Sequence, residues 1–348
     1  MAAPGMTAVT YQGVESVRVE EVPRPTIQAP GDALVRVTAS SVCGSDLHLF
    51  RNPRVIATGF VMGHEFAGVV EEVGSEVKAF KPGDRVVSAF SVSCGHCYYC
   101  RRGLTSQCVE SVVFGFGELS GGQAEYVRVP FADGTLERTP DDLRDDQAFF
   151  VGDILSTGFM AAENGGIRPG DVVAVVGCGP VGLLAQMSAH LFGPAMVLAV
   201  DMVEERLKLA QSFGSVPLNP SEEDVPARVK ELTGGRGADV VLEAVGQESS
   251  FQAAFELVRR GGTVSMVGVP QKRAYEFPIR QAFNQDITFK VGLCNAKRYM
   301  AQVIPLVQQG KLDPTGIITH TLSLAEADRA YDIFANKKDG CIKVLLRP

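Results

Sequence analysis

The feature that most constrains this fold is a glycine-rich turn between an apolar strand and a helix. The stretch "DVVAVVGCGPVGLLAQMSAHLFG", residues 171–193, predicts a buried strand followed by a helix that ends at glycine. Gly177, Gly179 and Gly182 place the spacing G-x-G-x-x-G at the turn. The first glycine permits the tight turn, the second lets a pyrophosphate approach the backbone, and the third lets the helix pack against the strand. The turn predicts a dinucleotide site at a helix N-terminus.

The alternation of strand and helix continues after this turn. The runs "MVLAVD", "VEERLKLAQSFG", "ADVVLEAVG", "SSFQAAFELVRRGG" and "TVSMVGV" alternate between the two types and predict a parallel, doubly wound sheet. Asp201 ends the second strand, 19 residues after Gly182. A carboxylate there accepts the ribose hydroxyls and repels a 2′-phosphate, which predicts NAD rather than NADP. The alternative is a glycine turn with a surface aspartate.

The segments before and after this region have different patterns. From about Thr7 to Pro130, short alternating runs such as "ALVRVTAS" and "AEYVRVP" are punctuated by glycine and proline, which predicts an antiparallel, barrel-like β domain. The tail predicts two helices, "MAQVIPLVQQGKL" and "AEADRAYDIFANKKDG", and a final strand-like run "CIKVLLRP". A length of 348 residues suits two domains.

Four of the eight cysteines lie within "CGHCYYCRRGLTSQC". Cys94, Cys97, Cys100 and Cys108 on one short loop can surround a single tetrahedral ion, and zinc is the favoured ion. An iron–sulfur cluster is the alternative, because cysteines at this close spacing also occur there. A closed site of this kind shapes a loop and performs no chemistry.

A second group of chemically active side chains lies earlier in the chain. "SVCGSDLH" contains Cys43, Ser45 and His48, and "MGHEFAG" contains His64 and Glu65, in a chain with only five histidines. Taken singly, each residue has an ordinary structural explanation. Together a thiolate and an imidazole, with one further carboxylate, could hold zinc with an open position.

Charge and hydropathy exclude several classes of partner. The net charge of −7 gives no reason to expect nucleic acid or an anionic membrane surface, so small molecules are the expected partners. The N-terminal stretch lacks both a basic start and an apolar run, and no segment is long enough to span a membrane. We expect a cytoplasmic protein, in which clustered thiols bind metal more often than they form disulfides.

Taken together, Cys43, the "GHE" run, the four-cysteine loop and "GCGPVG" resemble the zinc-dependent medium-chain alcohol dehydrogenases, from about Thr7 to the C-terminus. The resemblance implies an α/β protein. Its parts would be a co-chaperonin-like β-barrel catalytic domain with both zinc sites (1–154), a doubly wound, parallel-sheet Rossmann domain that binds NAD (155–293), and a return to the catalytic domain (294–348). It also implies a catalytic zinc in the cleft between the domains.

The resemblance assigns roles to individual residues around the catalytic zinc. Cys43 and His64 match two ligands, and Asp153 in "VGDILSTGF" holds the third position, where some relatives have cysteine and others aspartate. Glu65 matches a residue that enters or leaves the metal shell. Ser45 and His48 match a relay that carries a proton to the protein surface. The four loop cysteines match the structural zinc.

The resemblance also implies residues for cofactor and substrate. The cofactor-binding positions are Thr157, Gly177, Gly179, Pro180, Val181, Gly182, Asp201, Arg206, Val267, Val269 and Lys343. Phe90 and Leu293 match walls of the substrate pocket. Gly44 stands where several relatives place a basic side chain against the pyrophosphate, which predicts weaker cofactor binding. Met160 stands where some relatives have histidine.

These correspondences predict a zinc- and NAD-dependent alcohol dehydrogenase, with reversible hydride transfer between a primary or secondary alcohol and NAD. One alternative is a sibling of the same fold that acts on a polyol, threonine or formaldehyde. A second alternative is a zinc-stabilised protein that binds a dinucleotide without catalysis. The resemblance further implies a homodimer or homotetramer, built by edge-to-edge continuation of the Rossmann sheets near "ITFKVGL".

Overall fold

The protein divides into two compact units. The structure is a computed structural model and describes residues 5–52 and 57–348. The first unit runs to Ser156 and resumes from Asn295 to Pro348, and the second unit is Thr157–Cys294. The first unit is therefore discontinuous in sequence, with the second inserted into it.

The N-terminal part of the first unit consists mainly of short strands. Its strands are β1 Gly5–Gly13, β2 Ser16–Pro23, β3 Ala33–Val42, β4 Phe66–Val73, β5 Arg85–Ser88, β6 Tyr126–Val129 and β7 Leu136–Arg138. Its helices are short: α1 Asp46–Phe50, α2 Ala132–Thr135 and α3 Asp145–Ala148.

Strands and helices alternate in the middle of the chain. The helices are α4 Ile154–Gly165, α5 Pro180–His190, α6 Glu204–Ser212, α7 Val225–Leu232, α8 Glu248–Leu257 and α9 Ile279–Gln285. The strands are β8 Val172–Val176, β9 Met196–Val200, β10 Val216–Leu218, β11 Ala238–Glu243, β12 Val258–Met266 and β13 Thr288–Val291.

The C-terminal segment completes the first unit. It contains α10 Ala296–Gln308, β14 Ile318–Ser323, α11 Ala327–Ala335 and β15 Lys343–Arg347. Strand β15 enters the main sheet of the unit, whose order is β14-β15-β3-β4-β5-β7, with β6 also paired to β3. All of its pairings are antiparallel except that of β14 with β15. Strands β1 and β2 form a separate antiparallel pair.

The second unit is built on a parallel sheet. Its six strands lie in the order β10-β9-β8-β11-β12-β13, and every neighbouring pair is parallel. The central strand β8, "VVAVV", is buried at every position, as expected of a strand covered on both faces. The predicted α/β fold class, with a β domain and a doubly wound parallel sheet, is confirmed.

The glycine-rich turn lies between β8 and α5. Gly177 has φ +92°, in the left-handed region that favours glycine. A Cβ atom on Gly182 would lie 1.8 Å from the carbonyl oxygen of Gly177, so only glycine lets the helix start this close to the strand. Pro180 occupies the first turn of α5, where a missing N–H costs nothing.

The predicted helix "SSFQAAFELVRRGG" is too long. Helix α8 ends at Leu257, and the residues that follow belong to β12. This strand pairs with β11 on one side and β13 on the other, and Gly261 has φ +67°, which a helix does not accommodate. Within the described ranges, no helix combines the length and the apolar character needed to cross a bilayer.

Candidate active site and metal centres

The first unit gathers three potential metal ligands from distant parts of the chain. Cys43 directly follows β3, and His64 lies two residues before β4. These strands are antiparallel, with Ser40 opposite Phe66, so their ends bring the thiol and the imidazole together. Asp153 ends a 3-10 turn. One ligand atom from each of Cys43, His64 and Asp153 lies within 4.8 Å of the other two.

The distances within this cluster suit a small cation. The Nε2 atom of His64 lies 3.1 Å from Oδ2 of Asp153, and the Sγ atom of Cys43 lies 3.9 Å from the same oxygen. Burial raises the pKa of the Cys43 thiol, and the Glu65 carboxylate raises it further. A thiol, an imidazole and a carboxylate that converge in a buried space form a zinc-type donor set with room for one more ligand.

His64 is held from its other side by Asp46. The Nδ1 atom of His64 lies 2.9 Å from Oδ1 of Asp46, at an angle that falls short of a well-aligned hydrogen bond. Burial alone lowers the pKa of His64, but Asp46 and Cys43 hold that pKa well above its usual range. The negative groups around His64 therefore favour a cation at this position.

Asp46 is a site residue that was not predicted from the sequence. It lies at the start of α1, fully buried, and its Oδ2 atom accepts a hydrogen bond of 2.9 Å from the backbone N–H of Cys43. Histidine ligands commonly have a carboxylate at their second ring nitrogen, and it fixes the tautomer. The signal was present in "SVCGSDLH", because an acidic residue stands three positions after the predicted cysteine ligand.

Glu65 is paired with Lys343. Its Oε2 atom contacts both the Ser41 hydroxyl and the Lys343 ammonium, and neither Glu65 nor Lys343 is exposed to solvent. Lys343 also donates a 3.1 Å hydrogen bond to the carbonyl oxygen of Val42. Glu65 is not among the three converging ligands, and its entry into a metal shell stays a prediction.

Lys343 was predicted to bind the cofactor, and that role stays a prediction. The ammonium is fully buried and bonded within the first unit, so no part of it faces solvent. The Glu65 carboxylate accounts for this buried position, because an ion withdrawn from water requires an opposite charge beside it.

Ser45 lies half-buried beside the cluster, and His48 is exposed. The Oγ atom of Ser45 is 3.0 Å from Nε2 of His64 and 3.4 Å from Sγ of Cys43. His48 lies on α1 and is exposed, and its backbone N–H donates to the carbonyl oxygen of Ser45. Partial burial, followed by the charge of Arg51, lowers the pKa of His48. The structure places Ser45 at the cluster and His48 at the surface.

The four loop cysteines form a second cluster. Their sulfur atoms all lie within 4.8 Å of one another. Backbone N–H groups point at the sulfurs: that of Cys94 lies 3.2 Å from Sγ of Cys108, and that of Cys97 lies 3.4 Å from Sγ of Cys94. Hydrogen bonds from the backbone of Cys100 and then Val109 lower the pKa of Cys97 to about 6. Four sulfurs at this spacing fit one tetrahedral zinc ion.

The second unit carries most of the predicted cofactor positions. Gly177, Gly179, Pro180, Val181 and Gly182 lie between β8 and the first turn of α5. Asp201 follows β9, and its carboxylate accepts hydrogen bonds from the backbone N–H of Cys178, at 2.7 Å, and of Val203, at 2.9 Å. Arg206 lies 3.8 Å from the same carboxylate. Strand β9 therefore brings Asp201 to the glycine-rich turn.

The remaining predicted residues are dispersed. Thr157 is buried, whereas Val269 and Leu293 are each 48% exposed and Val267 is half-buried, all in the second unit. Phe90 is buried in the first unit. The shared substrate pocket of Phe90 and Leu293 stays a prediction.

Known proteins match this architecture over nearly the whole chain. The alcohol dehydrogenase GroES-like domain matches residues 29–140, and the zinc-binding dehydrogenase domain matches residues 180–309. An uncharacterized zinc-type alcohol dehydrogenase-like protein of Bacillus subtilis is 40% identical, over 99% of this chain and 100% of its own. The sorbitol dehydrogenase of the same organism is 31% identical, over 99% of this chain and 97% of its own.

A solved structure agrees with these sequence matches. The alcohol dehydrogenase of Thermus sp. ATN1 has a TM-score of 0.95 and 44% identity, covering 98% of this chain and 99% of its own. The sequence matches, the shared fold and the two metal-type clusters together confirm the resemblance drawn from the sequence. The chain therefore belongs to the zinc-dependent medium-chain dehydrogenases, a family of oxidoreductases.

Proposed function

We propose that the protein is an NAD-dependent alcohol dehydrogenase that interconverts a primary or secondary alcohol with its aldehyde or ketone. The observation that carries the proposal is the buried convergence of Cys43, His64 and Asp153. These three residues would hold the catalytic zinc, and Cys94, Cys97, Cys100 and Cys108 would hold a structural zinc. A bound catalytic zinc would act as a Lewis acid that makes the alcohol proton easier to remove.

The residues around the cluster have distinct tasks in this proposal. Asp46 holds Nδ1 of His64, so that Nε2 faces Cys43 and Asp153. Ser45 would accept the substrate proton at its Oγ atom, which lies 3.0 Å from His64 Nε2. His48, exposed on the same short segment, would pass the proton to solvent. Lys343 neutralises Glu65, so that the buried carboxylate adds less negative charge beside the ligands.

The second unit would bind the dinucleotide. The turn at Gly177 and Gly182 presents the N-terminus of α5 to the pyrophosphate, and Asp201 would accept the ribose hydroxyls. Thr157, Arg206, Val267 and Val269 belong to the same proposed site. We place the protein in the cytoplasm, because clustered thiols that bind metal are typical of a reducing compartment.

A second candidate is a polyol dehydrogenase of the same fold. The similarity to a sorbitol dehydrogenase favours it. The metal ligands do not separate the two candidates, because the walls of the pocket set the choice of substrate.

Nicotinamide absorbance in a panel assay tests the proposal. NAD and NADP are offered separately with primary alcohols, secondary alcohols, polyols, threonine and formaldehyde, and Cys43→Ala is the matched control. We expect a rate with NAD and one alcohol class that Cys43→Ala abolishes while NADH binding persists. The contradicting result is a protein that carries zinc at both clusters and binds NADH, but for which no substrate in the panel supports reduction of NAD.

A further inference from the structure

A chain of buried polar contacts runs from the C-terminal helix α11 to the predicted zinc ligand His64. The hydroxyl of Tyr331 donates to Oε1 of Gln123 at 2.9 Å. The amide nitrogen Nε2 of Gln123 donates to Oδ2 of Asp46 at 3.3 Å. The other oxygen of Asp46 lies 2.9 Å from Nδ1 of His64. All four residues belong to the first unit, and none is more than 2% exposed.

The orientation of the Gln123 amide is fixed by its partners. Its nitrogen faces Asp46 and also donates to the carbonyl oxygen of Ser41 at 2.9 Å. A carbonyl oxygen and a carboxylate only accept hydrogen bonds, so neither can face the amide oxygen of Gln123. That oxygen must face Tyr331, and the tyrosine hydroxyl must donate. Tyr331 therefore donates to that oxygen and completes the set of hydrogen bonds in which Gln123 donates to Asp46.

Among the described residues, the hydrogen bond of the Tyr331 hydroxyl goes to Gln123 and not to Cys43, His64 or Asp153. The Tyr331 ring packs against Phe50, with centroids 5.1 Å apart, inside a cluster of apolar residues. A phenylalanine would fill the same space. The hydroxyl costs free energy to bury unless it forms its hydrogen bond, and the bond it forms points to Gln123.

We propose that Tyr331 and Gln123 are positioning residues for the catalytic zinc, acting through Asp46 on His64. The hydroxyl of Tyr331 holds the Gln123 amide by bonding its oxygen, and the amide holds the Asp46 carboxylate. The carboxylate faces Nδ1 of His64 and favours the tautomer that leaves Nε2 for the metal. The inference rests on the proposed function, because it assumes zinc at Cys43, His64 and Asp153.

The test measures zinc release rather than activity. Zinc per chain is followed over time in excess chelator, well below the unfolding temperature, for wild type, Tyr331→Phe, Gln123→Met and the double variant. Cys43→Ala identifies the zinc that belongs to the catalytic cluster. We expect the catalytic zinc of Tyr331→Phe to leave about ten-fold faster than that of wild type, the lower end of the usual effect of such partners.

Tyr11→Phe is the matched control. Tyr11 lies in the same apolar cluster as Tyr331, is 2% exposed, and its hydroxyl has no hydrogen-bond partner among the described residues. The substitution therefore removes the same atom from the same core without touching the chain of contacts. We expect zinc release at the wild-type rate.

The double variant tests the route. If Tyr331 acts through Gln123, the double variant releases zinc no faster than Gln123→Met. The Gln123→Met change alone already removes the link between Tyr331 and Asp46, so the second change adds nothing. Equal release from Tyr331→Phe and Tyr11→Phe would overturn the inference while leaving the proposed function intact. If wild type and Cys43→Ala carry the same amount of zinc, no zinc belongs to the catalytic cluster. That result would overturn the proposed function and the inference together.

A cobalt spectrum provides a second readout. Replacement of the catalytic zinc by Co²⁺ gives visible bands that depend on the geometry of the ligands. We expect Tyr331→Phe to shift these bands and Tyr11→Phe to leave them unchanged. Identical spectra for Tyr331→Phe and wild type would contradict a positioning role.

Discussion

The candidate active site contains a buried pair of opposite charges. Glu65 and Lys343 are both fully buried and paired. Burial raises the pKa of Glu65, and the charge of Lys343 opposes that effect. Either partner left alone would be a buried ion without compensation, whereas removal of both leaves a neutral core. This pair therefore makes a distinctive prediction about stability.

Lys343→Met should lower the free energy of unfolding by about 3–5 kcal/mol, because it leaves the Glu65 carboxylate buried and unpaired. The double variant Glu65→Gln/Lys343→Met should recover most of that loss. Urea unfolding of the two variants and wild type measures the difference. A double variant that is as unstable as Lys343→Met would show that the charge is not the cause.

Gly44 allows a prediction about cofactor release. Gly44 is exposed, and a Cβ atom there would meet nothing within 4 Å, so a longer side chain fits. Gly44→Arg is the change that the family resemblance suggests, and it should slow NADH dissociation, because a guanidinium attracts the negatively charged pyrophosphate. Stopped-flow displacement of NADH measures the rate, with Gly44→Gln as the uncharged control. An unchanged rate in Gly44→Arg would contradict the proposed position of the cofactor.

Whole elements show which parts of the site a sequence can predict. The glycine turn and the four-cysteine loop each lie within one short stretch, so their spacing alone indicated their geometry. Gln123 and Tyr331 are different, because Gln123 meets Asp46 across 77 residues and Tyr331 meets Gln123 across 208, and no local pattern marks such contacts. The pairing of Lys343 with Glu65 was not predicted for the same reason, since the two residues are 278 positions apart.

The turn that precedes β5 makes a prediction about pH. The ammonium of Lys81 lies 2.7 Å from Asp84, Arg138 of β7 lies 2.9 Å from it, and together they lower the pKa of Asp84 to about 2. Because this pKa is below its usual value of 3.8, the interaction of Asp84 with Lys81 and Arg138 stabilises the fold above about pH 4. That stabilisation is lost as the pH falls through 2. Asp84→Asn should cost on the order of 1 kcal/mol at pH 7.

Unfolding of wild type and Asp84→Asn across this pH range measures the effect. The difference in unfolding free energy between the two proteins should be full at neutral pH and shrink towards pH 2. A difference that stays constant with pH would show that the Asp84 carboxylate is not stabilised by its charged partners.

The four-cysteine loop should depend on metal for its shape. Cys97→Ala removes one of four sulfurs that converge on a point, and Cys43→Ala removes one ligand of the other cluster. We expect Cys97→Ala to lose hydrogen-exchange protection in residues 94–108, because a structural zinc site contributes folding energy directly. Cys43→Ala should keep that protection. Protection that survives in Cys97→Ala and in chelator would contradict a structural metal.

At the scale of the whole molecule, the edge of the parallel sheet is the surface that needs an explanation. Strand β13 is the last strand of its sheet, and its Val291 is 58% exposed. Ile279 and Phe283 on α9 are exposed in the same unit, Phe283 to 85%. An edge strand, paired on one side only among the described residues, with exposed apolar side chains in the same unit, is a surface that another chain can cover. We propose that a second copy pairs there, which is consistent with the predicted dimer or tetramer.

If a second copy pairs at this edge, Val291→Lys should shift the protein to a smaller species, because the charge would be buried at the pairing edge. Val14→Lys is the matched control, since Val14 is 50% exposed in the first unit and lies far from β13 in sequence. Sedimentation velocity measures the result. A mass unchanged by Val291→Lys would place the interface elsewhere.

The position of the bound metal tests the proposed catalytic site most directly. Diffraction data from crystals of the zinc-loaded protein, collected on both sides of the zinc absorption edge, locate each ion by its anomalous signal. We predict one peak among Cys43, His64 and Asp153 and a second among Cys94, Cys97, Cys100 and Cys108. A peak at the four cysteines with none at Cys43, His64 and Asp153 would contradict the proposed catalytic site.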